Sequence, residues 1–131
     1  MSVRNAFAEH CRHVCESQNW ELLPTGIVVR FGDGRHQLVA LEFFEYLREE
    51  LVRLSTTIGP VESLGRGQLV LTLETNSRLP HGAFSIMGGN LCMTDTLMIE
   101  TSGPAEIEAA VDYLARTADE HERLLFGSDE H

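Results

Sequence analysis

Apolar residues recur every three or four positions at both ends of the chain and every second position between them, which predicts helices flanking a sheet. Over 3–18, Val3, Phe7, Cys11, Val14 and Cys15 fall on one stripe, the mark of a helix with one buried face. Trp20 to Pro24 reads as a short extended piece closed by Pro-Thr-Gly. Ile27 to Phe31 reads as a strand that turns through Gly32-Asp33-Gly34 into a third strand starting at Arg35. Toward the C-terminus, Ala83 to Met87 and Asn90 to Glu100 form a hairpin about Gly88-Gly89. Pro104 then opens a helix in which Ile107, Val111, Leu114, Ala118, His121 and Leu125 step by four and three until Gly127 stops it.

Two stretches carry both periods at once. Glu45 to Leu54 holds good helix formers, with Leu47, Leu51 and Leu54 at helical spacing, and propensity alone selects a helix there. Yet Val39, Leu41 and Phe43, then Val52, Leu54, Thr56 and Ile58, alternate as in strands. Gln68 to Leu73 also alternates, while Val61, Leu64, Leu71 and Thr75 trace one side of a helix, so the pattern leaves that segment open.

Composition narrows the class. A chain of 131 residues, 43% hydrophobic and 23% charged, fits one domain spanning 1–131. At that length about two-thirds of the unfolded surface is buried without metal or disulfides. No apolar run approaches the roughly 20 residues that span a bilayer, and the N-terminus runs into a polar-faced helix with no signal-peptide core, so a cytoplasmic protein is expected. The net charge of −10 is uneven: residues 100–131 hold nine Asp or Glu against two Arg. Such a surface repels phosphate backbones and anionic lipid, which argues against nucleic acid and membrane and for a basic or mixed protein partner.

Candidate chemistry is sparse, and neither catalytic residues, metal nor cofactor is expected. Cys11 and Cys15, with His10 and His13 nearby, are thiolate and imidazole on one helix. No second Cys/His pair completes a tetrahedral set, and helical phasing explains both cysteines as small buried hydrophobes. His81 lies in a Pro-His-Gly turn, where Asp95 or Glu100 would orient it as a base and Ser85 would be the nucleophile. However, no Gly-x-Ser-x-Gly elbow, phosphate-cradling glycine loop or His-Glu-x-x-His helix accompanies them. A non-enzymatic protein-binding module is the expectation.

The order helix, strands, middle helix, hairpin and long acidic helix, with the segment Asn76-Ser-Arg-Leu-Pro-His-Gly-Ala-Phe84 before the hairpin, resembles the type III secretion chaperone-like superfamily. That group includes the Tir-chaperone type and the YbjN-like proteins. The matching residues are Asn76, Leu79, Pro80, Gly82, Ala83 and Phe84. The resemblance implies an α+β domain with an N-terminal helix, a twisted antiparallel sheet of five or six strands, a middle helix and a long C-terminal helix. It resolves both ambiguities: Arg35 to Glu45 and Leu51 to Gly59 become strands, and Val61 to Ser77 a helix, with Asn76 and Gly82 terminating it and Phe84 entering the core. It further implies an acidic homodimer that holds an extended client segment against an apolar groove and a strand edge. The first helix and the strands around Trp20, Leu22, Ile27 and Val29 are the expected groove. Leu64, Leu71 and the Gly88-Gly89 turn are the expected dimer contacts. The alternative is a YbjN-like cytoplasmic regulatory or adaptor protein that binds a folded partner.

Overall fold

The computed structural model describes residues 2–127. Helix α1 (Val3–Gln18) starts where the Ser2 hydroxyl accepts the Asn5 N–H and ends at Asn19 in the left-handed conformation. Six strands follow: β1 (Glu21–Leu23), β2 (Gly26–Arg30), β3 (His36–Tyr46), β4 (Glu49–Pro60), β5 (Ala83–Met87) and β6 (Asn90–Met98). Between β4 and β5 lies α2 (Arg66–Thr75), flanked by single 3-10 turns at Val61–Ser63 and Asn76–Arg78. Helix α3 (Pro104–Phe126) closes the fold.

The strands form one antiparallel sheet in the order β1-β2-β3-β4-β6-β5. Its register places Ile27, Val39, Leu41, Leu54, Val52, Met93 and Phe84 on one face, where α1 and α3 cover them. Phe7, Cys11, Val14 and Cys15 of α1 and Ile107, Val111, Leu114, Ala115 and Ala118 of α3 complete that core. Gly26 is required in β2 because a Cβ there would stand 2.3 Å from the Val39 carbonyl oxygen.

The expected α+β domain is the one observed. Glu45 to Leu54 is not a helix: β3 and β4 form a long hairpin through it, because Val52 and Leu54 must face the core while Arg53 and Ser55 do not. The middle helix is shorter than Val61 to Ser77, since Leu64 and Gly65 are extended and the helix starts only where the Gln68 side chain accepts the Gly65 N–H at 2.9 Å. That helix ends at Asn76 as expected, though Asn76 is not in the left-handed conformation common at helix ends. It remains right-handed, and its side chain accepts the Phe84 N–H at 2.7 Å and donates to the Phe84 carbonyl at 3.1 Å. A carboxamide thus takes the place of a neighbouring strand at the outer edge of β5. Gly82, at φ +67° and 2.8 Å from the Thr94 carbonyl oxygen by its would-be Cβ, admits the chain to that edge, and Phe84 enters the core as expected.

The packing of α3 is tied down by an ion pair. Asp119 is buried, and Arg35, at the start of the β2–β3 hairpin's second arm, meets it with three N–H to oxygen distances of 2.9 to 3.2 Å. These hydrogen bonds to Asp119 are the main reason the Arg35 guanidinium is held more firmly protonated than usual.

Candidate functional site

Strand β1 pairs only with β2, so its other side is a free sheet edge. Pro24 and Thr25 return the chain immediately into β2, which keeps β1 to three residues. Leu22 pairs with Ile27 and so faces α1. Its side chain, with Phe7, Ala8 and Cys11 of α1, Leu23, Pro24, and Leu41 and Phe43 of β3, lines an apolar depression of about 180 Å³. Leu22 is 42% and Phe43 37% exposed, so the depression opens to solvent at the sheet edge.

Polar groups at its end hold the aromatic wall. Phe43 packs edge-to-face on Phe7 at 5.8 Å, and the Arg4 guanidinium lies 5.1 Å above the Phe43 ring while bonding Glu50 at 3.0 Å. Beneath it, burial pushes the Cys11 thiol up to about 12, with Cys15 adding to the shift. Cys11 is therefore a neutral apolar wall and not a nucleophile.

Of the groove residues expected from sequence, Leu22 lines the depression. Trp20 is half-buried against the core beside it. Ile27 and Val29 are 0% and 2% exposed and form the floor of the core under β2, out of reach of a partner in this conformation. The expected first helix supplies Phe7, Ala8 and Cys11, whereas sequence reasoning missed Leu41 and Phe43 as lining residues. Both were visible as apolar positions, but nothing in the pattern marks Phe43 as the one left open to solvent.

The expected dimer residues separate similarly. Leu71 is 63% exposed on α2, whereas Leu64 is half-buried against the core. Gly88 and Gly89 form the exposed β5–β6 turn at φ 57° and 80°, and the Gly89 carbonyl accepts the Val61 N–H at 3.0 Å, so this turn meets the start of the middle segment.

His81 is exposed, with its ring edge-on to Tyr113 at 5.8 Å, and shares a cavity of about 220 Å³ with Asp95, Leu97, Glu106, Ala109 and Ala110. Asp95 accepts the Thr96 N–H and Glu106 the Gly103 N–H. Ser85 pairs with Cys92, three residues before Asp95 on β6, so Ser85 and Asp95 project from opposite faces of the sheet. Ser85, His81 and Asp95 therefore do not assemble into a nucleophile and base. His121 points its Nδ1 at the Thr117 carbonyl, 2.9 Å away, and packs on Phe84. Among the described residues no group of three or more His, Cys, Asp or Glu is placed to hold a metal ion, and no helix is long and apolar enough to cross a membrane.

The six-stranded antiparallel sheet with α1 and α3 on one face is a type III secretion chaperone-like fold. No family model matches the chain, and no curated protein does. Solved structures do. The ExsC–ExsE complex aligns with a TM-score of 0.56 at 16% identity, covering 75% of this chain and 74% of that one. The Yersinia pestis type III secretion chaperone SycH, in complex with a stable fragment of YscM2, aligns at 0.56 and 12% identity over 86% of this chain and 96% of its own. The HopA1–SchA chaperone–effector complex aligns at 0.55 and 12% identity, over 87% and 94%. At such identities the likeness is one of fold.

Proposed function

We propose that this chain is a cytoplasmic, non-enzymatic chaperone-like protein that holds an extended segment of a client protein as a homodimer. The observation that carries the proposal is the apolar depression of Leu22, Phe7, Leu41 and Phe43 opening beside the unpaired edge of β1. An incoming segment gains main-chain hydrogen bonds from such an edge and places alternate side chains in the adjoining pocket. The structural neighbours support the reading, each having been solved with a bound protein partner. The homodimer is supported by α2, which exposes Val70, Leu71 and Leu73 and fully buries only Thr72.

A YbjN-like adaptor that binds a folded partner is the second reading, favoured by the Asn76-Ser-Arg-Leu-Pro-His-Gly82 ending and by the net charge of −10. Affinity capture of the tagged protein from its source cells, run beside a Leu22→Asp/Phe43→Asp variant, separates the two. One dominant partner, held through an extended segment and lost from the variant, is the expected result. Equal capture by both forms, or capture of folded proteins that release between low and physiological salt, supports the adaptor, because exposed charge pairs are screened there.

A further inference from the structure

Helix α2 is inside out. A helix on a globular domain turns its apolar side inward, yet here Thr72 is the one fully buried residue, while Val70, Leu71 and Leu73 are 46%, 63% and 43% exposed. Arg66 and Arg78, exposed at the two ends of this surface, form no ion pair among the described residues. Together with Glu62 and Glu74 they leave residues 62–78 in charge balance on a chain of net charge −10.

The turn joining β3 to β4 is anomalous in the complementary way. Tyr46 pairs with Glu49, so Leu47 and Arg48 alone make the turn, at φ 52° and 68°. Two-residue turns of this kind ordinarily recruit Asn-Gly, because both positions need positive φ. This one holds a leucine 79% exposed, beside Tyr46 at 62%. Glu45 sits directly opposite Glu50, a repulsive cross-strand pair. Arg4 engages Glu50 and Arg53 engages Glu42, but Glu45 and Glu49 have no ionic partner among the described residues. Among the described residues no ionic partner offsets this strained, apolar, acid-flanked tip.

We infer that the β3–β4 turn of one copy docks on α2 of a second copy, Tyr46 and Leu47 meeting Val70, Leu71 and Leu73 while Glu45 and Glu49 face Arg66 and Arg78. One chain does not make this contact with itself: α2 starts beyond the opposite end of β4, on the order of 35 Å from the turn at about 3.3 Å per residue. A two-fold axis repeats the contact and closes the assembly at two chains. The inference rests on the homodimer part of the proposed function and names what α2 meets there.

Sedimentation velocity on three forms tests it: the wild type, Glu45→Arg/Glu49→Arg, and Arg66→Glu/Arg78→Glu. The wild type is expected at twice 14.6 kDa. Each double reversal brings like charges together in both contacts and is expected to dimerise at least about tenfold more weakly. An equimolar mixture of the two reversals makes both contacts complementary again and is expected to return to the dimer mass. All substitutions are at exposed positions, and unchanged far-UV circular dichroism spectra with cooperative melts establish that each variant is folded. A dimer indifferent to the tip reversal, or reversals that stay monomeric when mixed, overturns this contact and leaves the homodimer standing. A monomeric wild type overturns both, while client capture through Leu22 and Phe43 is read independently.

Discussion

Helices α2 and α3 begin alike and end in opposite relations to the core. Each follows a glycine whose N–H is accepted, at 2.9 Å, by the side chain three residues on: Gln68 for Gly65 and Glu106 for Gly103. From there α3 sets Ile107, Val111, Leu114, Ala115, Ala118 and Asp119 against sheet and α1, and α2 buries Thr72 alone. Capping therefore determines where a helix starts, and the placement of its apolar residues determines what it packs on. The interior partner of α3 is this chain; α2 leaves Val70, Leu71 and Leu73 exposed.

That contrast is sharpest in substitutions of the same kind. Leu114→Ala empties a fully buried site and is expected to lower stability by about 3 kcal/mol, whereas Leu71→Ala is expected to change it by no more than about 0.5 kcal/mol while weakening self-association; urea denaturation and sedimentation read the two effects. Next in size is Asp119→Ala, which removes the carboxylate that Arg35 reaches from the β2–β3 hairpin. A loss of about 2 kcal/mol is expected by thermal or urea unfolding, less than for a fully enclosed pair because Arg35 is partly solvated. Asn76→Ala strips the β5 edge of two hydrogen bonds and is expected to cost about 1 to 2 kcal/mol, with faster amide exchange at Phe84.

The smallest effect is one of pH. Burial raises the Cys11 thiol from its ordinary 9.0 to about 12, so the folded state holds that proton more tightly than the unfolded state does. Its contribution is complete below pH 9.0 and is lost as pH rises toward about 12. Urea midpoints should accordingly fall across that window in the wild type and fall less in Cys11→Val.

Much of α3 was legible because its period is unbroken, and the same holds for α1 and for the Gly32-Asp33-Gly34 and Gly88-Gly89 turns. The β3–β4 hairpin was not readable from local signals. Its turn contains neither glycine nor asparagine, and Glu45 to Leu54 is rich in helix formers, so only the demand of the sheet for Val52 and Leu54 on one face makes it a hairpin. Residues 61–77 carried two periods, and the resemblance placed a helix there but made it too long, because the extended Leu64-Gly65 pair interrupts it. At the groove, the resemblance pointed to Leu22, which lies in the short edge strand and lines the depression. Phe43 was hidden, since its alternation with Leu41 marks a core residue, yet its ring stays 37% exposed at the rim although Phe7 and Arg4 of α1 lie against it.

Hydrogen exchange at Glu21–Leu23, compared between the protein alone and its co-purified client complex, reads directly whether the β1 edge takes up the client. The β1 amides are expected to exchange more slowly in the complex, together with the rim around Leu22 and Phe43. Protection confined to other surfaces, with β1 unchanged, would contradict client uptake at this edge.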